Sequence, residues 1–276
     1  MKLSFTIIKS LLILSLLLII STSDAQTVHR DFRFKKGDEF ERQLAVKSNC
    51  VMQRGSQKLN ISTYSAVTKT YKINDVVNGN ATIHITFNKV IDSINALGRN
   101  VNFNSDKTPD PNSDIQMSLY QLIGKSAIVS ADSKGTILAV KKREPVSDTL
   151  MAFTGIQSEN LSPNNQLEFL LDFPASPFLK KGYTWTDVSP VNNVYNTTYT
   201  IYAVTGRTTT ITYKTSILKD AMNTRINGVM LIDNDSGVVL KRSMQSVTTG
   251  YEEIKGVIYT VIRRSASSEV CYKKTN

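Results

Sequence analysis

The chain has 276 residues, 41% of them hydrophobic, and a formal net charge of +10. Past its first 25 residues it contains no apolar run of the roughly 20 residues that a membrane helix needs, so a polytopic helical membrane protein is excluded. The length suffices to bury a full core, as one large β domain or two smaller ones.

The first 25 residues have the pattern of a cleavable signal peptide. Lys2 and Lys9 form a positive region, residues 11–20 form an apolar core, and Ser23 to Ala25 supply small residues for cleavage between Ala25 and Gln26. A retained anchor is the alternative, but the core is shorter than a membrane span. We therefore expect an exported protein, periplasmic or secreted, with no nucleic-acid partner and no transmembrane span after signal removal.

Residues 26–143 are predicted to form a first β unit with a helical insertion. Side chains alternate with period two along 67–73 and 82–87, and Asn78-Gly79 supplies a turn between these strands. In the insertion, Ser113 is predicted to cap a helix that ends at Gly124 and carries Leu119 and Leu122 on one face.

Residues 144–178 are predicted to be a helical connection. Ser162-Pro163 opens a predicted helix over 164–172, with Leu167, Leu170 and Leu171 on one stripe, and residues 146–153 form a weaker one.

Residues 179–276 are predicted to form a second β unit. Its clearest element is a hairpin of 195–201 and 209–217, joined at Thr205-Gly206-Arg207.

The two units share three features in the same order. The opening 35–40 matches 180–185, each unit contains an alternating hairpin, and the closing turn 132–135 matches 234–237. We therefore predict a mainly β fold of two related antiparallel units that form curved sheets or an open barrel, with a few short covering helices. Chance similarity between β segments is the alternative.

The two cysteines, Cys50 and Cys271, lie near opposite ends of the chain. An oxidising compartment permits a disulfide between them. Otherwise both are small buried hydrophobic side chains.

Motifs of nucleophilic, zinc and phosphate chemistry are absent from the sequence. The histidines are His29, near the expected cleavage site, and His84, on a strand. The run 233–237 resembles the start of a calcium loop but lacks the sixth-position glycine and late glutamate, which favours a hairpin turn. We predict no catalytic residue, metal or cofactor.

A carboxylate pair of the glycosidase kind stays open as an alternative, since its two acids are not recognisable from spacing. The candidate acids are Asp38, Glu39, Asp132, Glu168, Asp172, Asp233 and Asp235.

Aromatic and basic residues suggest contact surfaces. Trp185 with Tyr195, Tyr199, Tyr202 and Tyr213 suits a carbohydrate or lipid surface, or cross-strand packing. The basic pairs and triplets at 35–36, 141–143, 180–181 and 263–264 suit solvated strand ends or weak contact with anionic surfaces.

Residues 34–40, the strand 67–73, the turn Asn78-Gly79 and residues 132–137 together resemble a family of exported Bacteroidota envelope proteins of unknown function. The resemblance covers about residues 30–142 and implies a Gram-negative envelope location and a β-dominated fold. It transfers no site residue. The cysteine at a lipidation position that is common in such proteins is absent here, which favours periplasm or secretion over membrane tethering.

These observations lead to three hypotheses for function. The first is a non-enzymatic envelope protein that binds an apolar or amphipathic ligand on a curved β-sheet, which requires a concave face not filled by its own side chains. The second is a structural or protein–protein interaction module of the envelope. The third is a carboxylate-based glycan hydrolase, which requires two facing acids in a cleft. The ligand-binding residues are unknown at this stage.

Overall fold

The computed structural model describes residues 34–146, 159–171, 179–188, 195–219, 221–254 and 256–274. These residues form one short helix and twelve strands. The elements are β1 (Glu39–Arg54), β2 (Gln57–Val77), β3 (Asn80–Ala96), β4 (Arg99–Asn104), α1 (Asp114–Tyr120), β5 (Ser126–Ala131), β6 (Ile137–Arg143), β7 (Thr184–Val188), β8 (Tyr195–Val204), β9 (Thr208–Lys219), β10 (Met222–Asp233), β11 (Val239–Ile254) and β12 (Val257–Lys273).

All twelve strands belong to one antiparallel sheet, which is curved and not closed. Its order is β6-β5-β3-β2-β1-β12-β11-β10-β9-β8-β7, and β4 pairs with the far end of β3. The first and last strands meet at the centre, where β1 and β12 pair from Phe40↔Lys273 to Gln53↔Thr260. The prediction of a mainly β fold with a curved antiparallel sheet is confirmed, and the strands form one continuous sheet.

The two halves of the sheet repeat local hydrogen bonds. Gly37 N–H donates to Ile73 O and Gly182 N–H donates to Ile201 O, both at 2.8 Å, and both glycines have positive φ angles near 90°. At the closing turns, Asp132 N–H donates to Thr136 O and Asp233 N–H to Val238 O, both at 3.0 Å. These matches favour the predicted duplication, while its domain boundaries stay a prediction.

The two faces of the sheet differ in burial along the full length of the long strands. On β11, even-numbered residues from Arg242 to Glu252 are half-buried and their odd-numbered neighbours are exposed. A flat uncovered sheet would expose both faces alike, so the sheet curves toward the even-numbered side of β11. We call this side the inner face and the other the outer face.

Two glycines allow the curvature on β10 and β11. A Cβ on Gly250 would lie 2.1 Å from the carbonyl oxygen of Ala221, so the two backbones approach more closely there than a side chain permits. A Cβ on Gly228 would lie 2.3 Å from Cζ of Tyr213, whose ring lies across this glycine from the paired position on β9.

The helix prediction is confirmed for one segment and wrong for another. Ser113 caps α1 by accepting a hydrogen bond from Gln116 N–H, and Leu119 and Leu122 are buried against β2 and β3. Residues 162–171 are not a helix. Leu167 and Leu170 are buried because the chain lies against the sheet there as irregular structure, with turns at 163–164 and 168–169 and isolated bridges Thr136↔Gln166 and Leu170↔Val238.

Cys50 and Cys271 are both buried and both free, so the structure corrects the disulfide prediction. Cys271 pairs with Arg42, eight residues from Cys50 along β1. That separation is about 26 Å, whereas a disulfide needs Cα atoms within about 7 Å. Burial and the neighbouring Glu269 raise the pKa of the Cys271 thiol to about 12.

Several predictions fall outside the described residues. These are the signal peptide with Ala25 and Gln26, His29, most of the weak helix at 146–153, and Asp172. In the ranges that are described, no helix has the length and apolar character needed to cross a bilayer.

Candidate functional site

The segment 159–171 covers the half of the inner face that lies away from the β1–β2 hairpin. We call this half the lower half. Phe169 is fully buried, with its ring centroid 4.4 Å from that of Tyr71 and 5.7 Å from that of Phe40. Leu161, Leu167 and Leu170 extend the same core over β3, β5 and β6. This segment therefore closes one half of the inner face with packed side chains.

Under this cover lies a buried group of charges centred on Arg42. Its Nη2 donates to Glu269 Oε2 at 3.0 Å, its Nε lies 3.0 Å from Glu269 Oε1, and its Nη1 lies 2.9 Å from Glu168 Oε2. The side chains of Arg42 and Glu269 are 4% and 2% exposed. Charges this deep persist only when they are paired, so the sheet and the covering segment are joined here by ionic contacts.

Glu159 extends the group toward β2. Its Oε2 accepts a hydrogen bond from Tyr71 Oη at 2.7 Å and lies 3.2 Å from Lys69 Nζ. Lys69 Nζ also lies 4.6 Å from the ring centroid of Phe87, a cation–π distance. Arg242 on β11 completes the group by donating to the backbone oxygen of Glu168 at 2.8 Å. Three cations thus face three carboxylates.

The two acids of the covering segment differ in proton affinity. Burial alone would raise the pKa of Glu159, but Lys69, Arg42 and Tyr71 hold it below its ordinary value. Burial and the charge of Glu159 raise the pKa of Glu168, which Arg42 only partly offsets. A carboxyl pair with divergent pKa values is the electrostatic pattern of a hydrolase.

The geometry around this pair does not suit a sugar substrate. The side chain of Glu159 is 2% exposed, and the cavity beside it, lined by Lys69, Phe87 and Leu161, has a volume of about 40 Å³. That volume holds only a few water molecules. The charge group therefore fits a structural role, in which it holds the covering segment on the sheet, better than it fits an open catalytic cleft.

The other half of the inner face, toward the β1–β2 hairpin, is lined by different side chains. We call it the upper half. Small hydroxyl side chains from four adjacent strands form its floor, which we call the serine trough: Ser48, Thr63, Ser246, Ser265 and Ser267. All five are half-buried, and Ser265 hydrogen-bonds Ser48 at 2.9 Å. Among the described residues, the segment 159–171 makes its contacts below this level, at Arg42, Lys69, Tyr71 and Arg242, and α1 covers Val67 and Val90 beside it.

Apolar side chains border the serine trough. Toward the β1–β2 and β11–β12 hairpins, half-buried Leu59, Ile61 and Tyr259 pack against buried Met52 and Val261. Toward β9, half-buried Ile226 and Met244 pack against the core of the second half of the sheet. The trough thus combines a hydroxyl floor with aliphatic borders.

The predicted aromatic surface is only partly assembled. Trp185, Tyr199 and Tyr213 follow one another on the inner face, with centroids 5.0 Å and 6.0 Å apart. Tyr202 lies on the outer face and is 63% exposed. Cross-strand packing therefore accounts for three of the five aromatic residues named from the sequence.

Of the predicted acids, only Glu168 belongs to the charge group. Asp132 and Asp233 accept backbone N–H bonds inside their turns, and Asp38 pairs with Lys273 at 2.7 Å. The run 233–237 is a hairpin turn as predicted. His84 lies on the outer-facing side of β3, opposite to buried Ile83 and Ile85.

Arg42, Lys69, Glu159 and Glu269 were missed by the sequence analysis. Arg42 and Lys69 occupy inward positions in strands that otherwise alternate regularly, and this mismatch is the signal that identifies them. Glu159 lies in a connection without periodicity, so nothing local distinguishes it.

A shallow recess of about 360 Å³ lies on the outer face, and a second, of about 400 Å³, lies beside β4 and α1, where Asp92, Phe103 and Gln116 line it. The floor of the first follows the transverse row Ser268, Ala45 and Ala66, whose small side chains create the depression.

The family whose model matches this sequence is one of unknown function, DUF6263, over residues 78–172. No curated protein matches the chain. Among solved structures, a lipovitellin chain studied for its lipid–protein interactions matches with a TM-score of 0.50 at 11% identity, covering 87% of this chain and 25% of that one. This chain thus spans about a quarter of the lipovitellin chain, and the likeness is one of fold.

Two further solved structures match less well. An outer membrane channel from Pseudomonas putida F1 has a TM-score of 0.26 at 5% identity, covering 91% of this chain and 99% of that one. Pseudomonas aeruginosa OccK7 has a TM-score of 0.28 at 7% identity, covering 87% and 100%. Both scores are too low to inform on this protein.

Proposed function

We propose that this protein is an exported, non-enzymatic binding protein of the cell envelope that holds an amphipathic ligand in the serine trough. The observation that carries the proposal is the upper half of the inner face, where half-buried hydroxyl groups are bordered by aliphatic side chains. Hydroxyl groups suit the polar part of such a ligand, and Leu59, Ile61 and Tyr259 suit its chain. Lipovitellin, whose fold the sheet shares in part, is described by its interactions with lipid.

The lower half of the inner face is an unsuitable site for the same ligand. Its core is filled by Phe169 and its neighbours, and the cavity of about 40 Å³ beside Glu159 is far smaller than the 300–1,000 Å³ of usual ligand pockets. The proposal therefore commits to the upper half.

A fluorescent fatty acid, cis-parinaric acid, tests the proposal when titrated into the purified protein below its micelle-forming concentration. Ser265→Phe fills the trough, whereas Ala266→Phe places the same ring one residue away on the outer face. We expect saturable binding by the unmodified protein, about a tenfold loss in Ser265→Phe and no loss in Ala266→Phe, because a full ring removes apolar contact area from one face only.

Absence of saturable binding, or equal losses in the two variants, would reject the trough as the ligand site. Native mass spectrometry of protein purified gently from its host then identifies any bound molecule by its mass.

A further inference from the structure

One end of the sheet carries four hairpin turns, and we call it the distal rim. The turns join β1 to β2, β3 to β4, β9 to β10 and β11 to β12, and the strand pairings bring all four to the same end. With about 4.8 Å between neighbouring strands, the turns follow one another at intervals of about 10 Å over about 30 Å of sheet.

Apolar side chains are exposed at three of these four turns. The exposed fractions are Leu97 79%, Leu218 64%, Ile258 62%, Tyr251 60% and Ile254 40%. Leu97 and Leu218 each lie at a separate hairpin, and Tyr251, Ile254 and Ile258 share the β11–β12 hairpin, so the exposed groups form three separate points along a line.

Leu97 is the residue of this set whose identity the local structure explains least. The turn Leu97-Gly98 has φ angles of 54° and 74°, nearly those of the turn Asn78-Gly79 at the opposite end, 52° and 80°. Asparagine tolerates this left-handed conformation and leucine does not, so Asn78 follows the usual preference and Leu97 violates it. Since Leu97 is also 79% exposed, neither backbone geometry nor burial favours leucine there.

The charges of the distal rim are predominantly positive. Arg54, Lys58, Arg99 and Lys219 are exposed beside its turns, and none of the four pairs with a carboxylate of the described residues. The described acids beside the same turns are Glu252 and Glu253, and Glu252 faces Arg263 at 3.9 Å.

At the opposite end of the sheet several cations are paired, although exposed Lys134, Lys181 and Arg207 there have no carboxylate partner among the described residues. Lys36 faces Asp75 at 3.6 Å, Lys273 faces Asp38 at 2.7 Å, and Lys274 faces Glu39 at 2.9 Å. The distal rim thus combines unpaired positive charge with exposed leucines at its turns.

We propose that the distal rim docks on the surface of an anionic phospholipid bilayer. Leu97, Leu218 and Ile258 would enter the interface between headgroups and chains, while the cations contact lipid phosphates, which is the combination that interfacial binding requires. Separate apolar points over about 30 Å suit a fluid, extended surface better than the shaped pocket of a protein partner. This inference stands independently of the serine trough.

Co-sedimentation of the full mature chain with vesicles tests the docking. We expect binding to vesicles of phosphatidylethanolamine and phosphatidylglycerol that weakens as salt is added, and much weaker binding to phosphatidylcholine alone. Leu97→Asn combined with Leu218→Thr and Ile258→Thr should lower the affinity about tenfold or more. Leu97→Asn suits the turn geometry, and circular dichroism and the melting temperature confirm that the variant is folded.

A matched control comes from the opposite end, where Val77 and Leu138 are 58% and 46% exposed. Val77→Thr with Leu138→Thr should leave vesicle binding unchanged. Arg54→Ser with Lys58→Ser should weaken binding to the anionic vesicles only, by about fivefold per removed cation.

The docking proposal is overturned if the unmodified protein does not bind phosphatidylglycerol vesicles, or if the control and rim variants lose binding equally. Retention on an acidic protein without vesicle binding, abolished by the same rim substitutions, would also overturn it in favour of a protein partner. If the protein binds vesicles but not monomeric cis-parinaric acid, the result would support docking by the distal rim and reject the serine trough as a ligand site.

Discussion

At the scale of single residues, Arg42 joins three parts of the chain that are far apart in sequence. It lies on β1, contacts Glu269 on the paired strand β12, and reaches Glu168 in the covering segment. Its position on an otherwise apolar strand face means that its charge is compensated only in the complete fold.

Arg42→Met should lower the free energy of unfolding by about 3–5 kcal/mol, because it leaves Glu269 buried without its main partner. Arg225→Met, at an exposed position of β10, should change it by less than about 0.5 kcal/mol. Urea unfolding measures both, and Glu269→Gln added to Arg42→Met should restore part of the loss. Equal values for the two arginine variants would contradict the role assigned to Arg42.

Asp92 predicts a pH dependence of stability. It is 2% exposed, its Oδ2 has no hydrogen-bond partner among the residues that the structure describes, and burial raises its pKa from 3.8 to about 7. Between these values the folded state holds a proton that the unfolded state has released, so this residue's contribution to stability falls as pH rises toward 7 and is constant above it.

Asp92→Asn removes this penalty. Its stabilising effect relative to the unmodified protein should grow by about 2–3 kcal/mol between pH 5 and pH 8, at about 1.4 kcal/mol per pH unit up to the raised pKa. Asp235→Asn, at an exposed turn position, should show no such growth in the same urea titrations. A pH-independent effect of Asp92→Asn would mean that Asp92 is ionised throughout.

At the scale of elements, the turns and the covering segment show where sequence patterns suffice. The hairpins and α1 were predictable because alternation, Asn78-Gly79 and the cap Ser113 act within a few residues. The helix predicted over 164–172 is wrong for the described residues 164–171, because Leu167, Leu170 and Leu171 fit a helical stripe equally well. The irregular form of these residues depends on bridges to strand ends that lie elsewhere in the chain.

The turns Asn78-Gly79 and Leu97-Gly98 allow a reciprocal test. Leu97→Asn should raise the free energy of unfolding by about 0.5–1 kcal/mol, and Asn78→Leu should lower it by a similar amount, because only asparagine tolerates the positive φ angle readily. Thermal unfolding of the two variants measures the difference. Stabilisation by leucine at both positions would show that packing outweighs backbone conformation there.

At the scale of the whole molecule, the two halves depend on each other at the centre of the sheet. β1 pairs with β12 along fourteen residues, and Glu269 of β12 compensates Arg42 of β1. The duplication was visible in the sequence because its turns are local, but the pairing of the first strand with the last was not, since no local pattern specifies a contact between residues more than 200 positions apart.

A fragment of residues 34–146 should therefore not fold alone, because it retains β1 to β6 but exposes the entire paired edge of β1 and leaves Arg42 without Glu269. Circular dichroism and size-exclusion chromatography should show an unfolded or aggregated fragment. Addition of the remaining half should restore β structure, and a monomeric folded fragment would contradict this interdependence.

The central position of β12 also sets the order of folding events. β1 emerges early and β12 late during synthesis, so the long inner edge of β1 stays without its partner until nearly the whole chain is available. Closure across so many residues is slow, and an unpaired strand edge meanwhile favours association with other chains. The centre of the sheet is its best-paired region once folding is complete, but it is the region most prone to association with other chains before then. A chaperone that rapidly binds the unpaired edge of β1 would therefore assist assembly most.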